Sequence, residues 1–172
     1  NLVSGEFPFP IEMAMKETAF NLSMPVSGGE EDQDFAFGLT LGDFTMSDMI
    51  WGLFDPSGQL PRDPASLLVD LSGQAKVLFN FLDPTQAAIL DQTGATPGEL
   101  NALTLNALAL DAAGAKLTGE GAFTFDNSDL VTFDGMPRPL GGINLNLVGG
   151  NGLLDKLVGM GLVPEEQAMA AR

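Results

Sequence analysis

The chain has no cysteine, no histidine and no tyrosine, and a single tryptophan in 172 residues. Without cysteine there is no disulfide framework, no zinc finger and no thiol nucleophile. Without histidine the usual general base is gone, and with it the Ser-His-Asp triad and nearly all transition-metal sites. Basic side chains are scarce: 7 Lys and Arg stand against 23 Asp and Glu, for a net charge of −16. Such a chain lacks the basic patches that nucleic acid and anionic membrane surfaces require. No apolar run approaches the ~18 residues of a membrane span, and no signal peptide is visible. The lack of cysteine fits a Gram-negative periplasm, although cytosolic proteins also do without it.

What is present is apolar and rich in turns. Hydrophobic residues make up 45% of the chain, too many for a disordered segment. The 21 glycines, set among short alternating runs, point to strands joined by frequent turns. The length suits one domain, at roughly 100–200 residues each. Residues 1–172 are therefore expected to form a single domain. The start at Asn1 without a Met, and the stop at Arg172 in a helical pattern, read as the ends of a fragment of a longer secreted protein.

The clearest unit is a β-hairpin over residues 102–126, two alternating runs around Asp111-Ala112-Ala113-Gly114. Ahead of it, Met13 and Met15 alternate in one phase and Phe20, Leu22 and Met24 in the other, which predicts a strand with a bulge near Glu17 to Ala19. Phe35, Phe37, Leu39 and Leu41 continue the first strand pair after a Gly-Gly and acid turn. Ser47 is the expected cap of a short helix carrying Met49, Ile50, Trp51, Leu53 and Phe54, ended by Asp55-Pro56-Ser57-Gly58. Residues 67–82 show the longest clean alternation and are expected to bend at Gly73. Asp83-Pro84 opens a second short helix with Ala87 to Leu90 as its apolar side. Residues 127–139 read as an irregular excursion, followed by a strand with Ile143, Leu145 and Leu147 and a helix with Leu153, Leu154, Leu157 and Val158. Pro164 opens the last helix. Consecutive strands are joined by turns rather than crossovers, so the predicted fold class is α+β and β-rich: a curved, mostly antiparallel meander with a few short helices packed on one face. Residues 37–56 and 143–164 weakly echo one another.

No residue set offers an acid, a base and an orienter together, so the chain reads as non-enzymatic, with no catalytic, cofactor or metal residue assigned. Gly150-Asn151-Gly152-Leu153-Leu154-Asp155 partly mimics a nucleotide-binding glycine loop, but Asp155 stands at the third glycine; a tight turn with Asn151 capping the helix is the plainer reading. Glu30-Glu31-Asp32-Gln33-Asp34, and Asp126 with Asn127, Asp129 and Asp134, have oxygen ligands for calcium but match no EF-hand spacing. Solvated turns account for both. Trp51 and its apolar neighbours form either core or a partner-binding face.

The main anomaly lies in the hairpin. By strict alternation Leu103 and Leu105 point one way and Leu108 and Leu110 the other, unless a bulge intervenes. Burial on both sides explains this, and so does a greasy surface that holds an acyl chain.

Leu117-Thr118-Gly119-Glu120-Gly121-Ala122-Phe123, Thr132-Phe133-Asp134-Gly135-Met136-Pro137, Gly149-Gly150-Asn151-Gly152-Leu153-Leu154 and Gly161-Leu162-Val163-Pro164-Glu165 resemble the proteobacterial family called domain of unknown function 2125, from about Ser47 onward. More distantly the pattern is similar to AsmA-type envelope proteins. The resemblance implies a secreted, periplasmic parent with long β-sheets and a hydrophobic groove, implicated in moving or organising lipid. It brings no catalytic residues. The expectation is a periplasmic envelope protein that binds lipid on a hydrophobic sheet face. The alternative is a structural or interaction module that docks on another envelope protein.

Overall fold

A computed structural model describes residues 13–80, 82–86 and 97–170. Its elements in chain order are β1 (Met13–Ala14), β2 (Glu17–Ser23), β3 (Gln33–Met46), α1 (Asp48–Phe54), β4 (Ala65–Val77), β5 (Gly98–Ala112), β6 (Ala115–Asp126), β7 (Arg138–Val148), α2 (Gly150–Gly159) and α3 (Glu165–Ala170). The seven strands form one open sheet in which every pairing is antiparallel. β1 and β2 lie in line against β3; β4, β5, β6 and β7 follow in sequence order. This is the meander that short connections between alternating runs require.

The expected irregularity in the first strand exists, slightly earlier than predicted. β1 and β2 are parted at Met15 and Lys16, and the partner strand is irregular opposite them, at Gly42 and Asp43. Asp43 takes a left-handed backbone (φ 50) there, and its carboxylate meets the Lys16 ammonium at 2.8 Å.

The hairpin turn is tighter than its sequence suggested. Both strands continue until Ala112 faces Ala115, so the loop is Ala113-Gly114 alone rather than four residues. Both loop residues have positive φ, 53 and 80, as in a primed two-residue turn whose twist matches the flanking strands. Gly114 adopts this at no steric cost, whereas Ala113 carries a Cβ that the left-handed region disfavours.

β4 ends at Val77, short of the predicted Leu82. Gly73 stays in both ladders, opposite Phe35 and Leu103. A Cβ at position 73 would collide with the Phe35 ring and the Ala102 carbonyl, so the glycine seats a phenyl ring. Asp83 accepts the Thr85 N–H at 2.9 Å, as expected of a residue preceding a helix. The apolar side expected at residues 87–90 lies outside the described residues. Ser47 occupies the α1 N-cap position without a capping bond from its side chain, and Asp48 pairs instead with Arg62. At α2 the cap position belongs to Gly149 (φ 79), and Asn151 is inside the helix. The predicted Asn151 cap is thus displaced, because the left-handed turn out of β7 requires a glycine at 149.

α1 ends where Asp55 turns the chain. This carboxylate is the most buried polar group among the described residues, 3% exposed, and accepts the backbone N–H groups of Leu60 (2.7 Å) and Gln59 (2.9 Å) and the Ser57 hydroxyl (3.3 Å). Burial pushes its carboxyl up, and these hydrogen bonds outweigh that and hold it below the ordinary range.

The packed interior is small. Among the described residues the buried hydrophobic side chains are Val77, Ala115 and Ala168. A protein whose sheet leaves this little apolar surface fully covered is one whose turn chemistry weighs heavily in its stability. Replacing Ala113 by Asn, the residue that best tolerates a left-handed first turn position before Gly, is expected to stabilise the fold by about 0.5–1 kcal/mol. Urea unfolding reads this as a higher midpoint with unchanged slope.

Candidate functional site

Residues directly opposite one another in an antiparallel ladder share a face, so the register sorts every strand side chain. One face carries Phe20 and Leu22 of β2, then Phe35, Phe37, Leu39 and Leu41 of β3, then Leu67, Val69 and Leu71 of β4. It continues with Leu103, Leu105, Leu108 and Leu110 of β5, Leu117 and Phe123 of β6, and Ile143, Leu145 and Leu147 of β7. No charged residue that the register pairs shares this face; Asp43 lies in the β3 irregularity, outside the ladder. Glu17, Asp34, Asp70, Lys76, Glu99, Asp111, Lys116, Glu120, Asp126 and Arg138 all fall on the other face, where Leu68, Leu140 and Val148 are the large apolar exceptions.

The anomaly in the hairpin is resolved by the exception the sequence left open. A bulge intervenes. Asp70 pairs with Ala107 and Leu71 with Leu105, so β5 carries one extra residue at Asn106. The same step appears on the β6 side between Leu105 and Leu108. A second bulge lies at Asn101, where Gln74 pairs with Ala102 and Ala75 with Leu100. Each extra residue flips the phase once, and all five leucines, Leu100 to Leu110, come to one side. In β3 the irregularity at Gly42-Asp43 does the same for Phe44, which pairs with Ala65 in line with Leu67. The sheet is not apolar on both sides; it is apolar on one.

The bulge asparagines are held from the polar side. The Asn106 amide donates to Asp70 Oδ1 (3.1 Å) and Ser72 Oγ (3.0 Å). The Asn101 amide donates to Asp32 Oδ1 (2.6 Å) and its oxygen accepts from the Asn127 amide (2.7 Å). Glycines on the apolar face make room for its large neighbours: a Cβ at Gly119 would overlap Leu145 Cδ2. Phe20 and Phe37 meet edge to face with centroids 5.7 Å apart.

This face is bare on its outer strands, β2 and β7, and most of its side chains on the strands between are half-buried. Phe20 is 59% exposed, Leu145 56% and Leu147 58%, and α1 and α2 bury none of their own residues. Antiparallel sheets ordinarily pack one face on a core, and contiguous bare apolar surface of this extent marks a binding surface.

Each end of the face deepens into a cavity. At the α1 end a space of about 500 Å³ is bounded by Phe44, Met46, Trp51, Phe54, Leu60 and Ala112. The Trp51 indole N–H is buried there without an acceptor, and the Arg62 guanidinium stands 5.8 Å from the centre of its ring. Met49, Leu53 and Phe54 of α1 are exposed whereas Ile50 and Trp51 are half-buried, so the Trp51 cluster is core on one side only. At the other end a half-open space of about 550 Å³ lies between Leu78, Leu100, Phe125 and the β6–β7 connection, with Leu130, Phe133 and Met136 as its outer wall. Phe133 and Met136 stood in the sequence only as part of the family resemblance, and Leu130 not at all; none was read as lining a cavity. The readable signal was Asp134-Gly135 between two large apolar residues, a two-residue turn motif in a stretch taken as irregular.

The acidic loops are spent on local structure. Asp126 accepts the Ser128 hydroxyl (2.6 Å) and N–H (3.0 Å). Asp129 accepts the Thr132 N–H (3.1 Å) and hydroxyl (2.9 Å) and the Val131 N–H (3.3 Å). Asp34 receives the Gln74 amide. Among the described residues no three acidic side chains converge as a metal site would need. Gly150 to Asp155 forms the first turns of α2 after an antiparallel strand, without the parallel unit a dinucleotide loop serves.

No family model, curated protein or solved structure matches the chain.

The Ser128 hydroxyl and N–H hold the Asp126 carboxyl below the usual carboxylate range, and the Thr132 N–H and hydroxyl do the same for Asp129. A lowered folded-state value stabilises the loop above the unfolded value near 4 and is lost as pH falls through the folded value. Acidification below about pH 4, through those lowered values, is thus expected to loosen the β6–β7 connection. Amide hydrogen exchange at Ser128, Val131 and Thr132, corrected for intrinsic rates, checks this: protection that stays constant down to pH 2.5 or so contradicts it.

Proposed function

We propose that the chain is a non-enzymatic binding module of the bacterial envelope, periplasmic in location, whose apolar sheet face takes the acyl chains of lipid. The observation that carries the reading is the sorting of the strands: five leucines of β5 brought to one side by two bulges, on a face to which the register assigns no charged residue. Sequence that only had to fold could leave such irregularities out; these keep one surface continuously apolar across the sheet. The resemblance of the stretches from Leu117 to Glu165 to envelope proteins supports the location and the lipid class. The charge of −16 puts the acidic groups on the opposite face and in the loops, which keeps the molecule soluble while that surface stays greasy.

A second reading has its own observation. β7 pairs only with β6 among the described residues, and its segment from Pro139 to Val148 carries no charge. A long, uncharged edge strand is a template for another strand. On this reading the module docks on another envelope protein by edge pairing, and the apolar face is covered by that partner.

Protein purified from its native host without detergent separates the two. Native mass spectrometry and solvent extraction are expected to find phospholipid or lysophospholipid bound at about one to two molecules per chain. Replacing the exposed Leu145 by Asp is expected to reduce that occupancy severalfold while leaving the circular dichroism spectrum unchanged, since burial of one leucine contributes only ~1.5–3 kcal/mol. A stoichiometric protein partner with no lipid in the extract would overturn the lipid reading in favour of edge docking.

A further inference from the structure

The open face and the cavity at its β6–β7 end differ in what they can hold. The face is a broad surface; the cavity is bounded space of about 550 Å³, within the ~300–1,000 Å³ typical of small-molecule sites. Leu100, Phe125 and Pro139, which line it, are also strand residues of the apolar face, Leu100 through its pairing with Ala75 and Phe125 opposite Pro139. The cavity is therefore the continuation of the face past the end of β4.

Its outer wall is built by turn chemistry. Phe133 and Met136 form an isolated bridge closed by the left-handed pair Asp134 (φ 49) and Gly135 (φ 92), with the Met136 N–H on the Phe133 carbonyl at 3.0 Å. This sets the two side chains next to each other. The Asp126 and Asp129 hydrogen bonds fix the chain that leads to them. Yet Leu130 remains 45% exposed, Phe133 40% and Met136 64%. A loop so closely tied down, with its apolar side chains against empty space, leaves room for an apolar guest.

The chemistry of the lining narrows the guest. Glu99 is its one charged residue, and no Lys or Arg lines it. The Asn127 amide is engaged by the Leu100 carbonyl (3.0 Å) and Asn101. The nearest cations stand outside the lining: Arg138, between Pro137 and Pro139, acts on Asp126 and Asp129, and Lys76 pairs opposite Glu99, so a carboxylate or phosphate monoester would find them already beside acids and would enter against a net charge of −16. Length narrows it further. The 13 residues of β4 span about 40 Å at ~3.3 Å each, whereas one leaflet's chains fill about 15 Å of a ~30 Å hydrocarbon core. One chain does not fill the face, so a walled, half-open pocket at its end is what gives it a fixed position.

We propose that this cavity seats the terminal segment of one acyl chain of an amphiphile with an uncharged or zwitterionic head, the rest of the chain lying on the face over Leu103 and Phe123. The proposal rests on the reading that the face binds acyl chains, and its test separates the two. Long-chain lysophosphatidylcholine is the probe, titrated calorimetrically below its micellar concentration. Met136→Trp, at an exposed loop position, fills the cavity and is expected to weaken binding about tenfold, the loss of about two buried methylenes. Leu145→Asp weakens it as well, because it disturbs the face. In Phe133→Trp protein, a lysophosphatidylcholine brominated at the tail end is expected to quench the indole introduced at position 133 strongly, while native Trp51, at the opposite end of the sheet, gives the wild-type baseline. Binding that is unchanged in Met136→Trp, with no quenching at position 133, overturns the cavity assignment and leaves the functional reading standing. Absence of binding to the wild-type protein overturns both.

Discussion

Alternation is the constraint on which the rest of this molecule depends. In a strand every inserted residue exchanges the two faces, so an irregular strand normally mixes apolar and polar groups on each side. Here each irregularity is compensated. Asn101 and Asn106 in β5 and the Gly42-Asp43 step in β3 bring the following apolar residues back to the side of the preceding ones. The break between β1 and β2 answers the step in β3, so Met13, Phe20 and Leu22 also share that side. The uncharged face, and the apolar strand residues it contributes to both cavities, follow from this.

The turns and element types were legible because they depend on local chemistry. Asp55, Gly58 and Asp83 act where short-range rules place them, Ser47 takes the cap position without the capping bond, and the β5–β6 hairpin is announced by Gly114 although its loop is two residues rather than the expected four. The register was not legible from one strand, because a bulge is defined by the partner. Counted alone, Leu103, Leu105, Leu108 and Leu110 look two-sided; counted against Gly73, Leu71, Val69 and Leu67 they are one-sided. The doublet Leu100-Asn101-Ala102-Leu103 and Leu105-Asn106-Ala107-Leu108 did carry the information. An asparagine between leucines has no place on an apolar face, and a bulge lets its amide turn toward Asp32 or toward Asp70 and Ser72. The outer wall at Phe133 and Met136 was hidden for a related reason: its residues are separated by a turn and come together only when Asp134 and Gly135 both adopt positive φ.

The glycines of the apolar face show how such a surface is smoothed. Gly73 lies under the Phe35 ring and Gly119 under Leu145, positions that any side chain would contest. Large groups thus lean over small ones in adjacent strands, giving lateral packing within one layer where a second layer would ordinarily provide contact. The described helices add little to this, since only Ala168 of α3 among them is buried.

The leucine and asparagine doublet in β5 has a kinetic side. Its two units are five residues apart and nearly identical, Leu-Asn-Ala-Leu-Thr and Leu-Asn-Ala-Leu-Ala. A strand slipped by five residues against β4 would set leucine on the site of leucine and asparagine on the site of asparagine, and its greasy side would remain intact. Hydrophobic pairing alone discriminates poorly between the two arrangements. The distinction falls to the unlike polar anchors, Asp32 for Asn101 and Asp70 with Ser72 for Asn106, because the Ala113-Gly114 turn sets β5 on β6 and leaves the hairpin free to shift on β4 as a unit. The anchors are in that sense the proofreading elements of the β4–β5 ladder, and a slipped hairpin is the trap that their loss would populate.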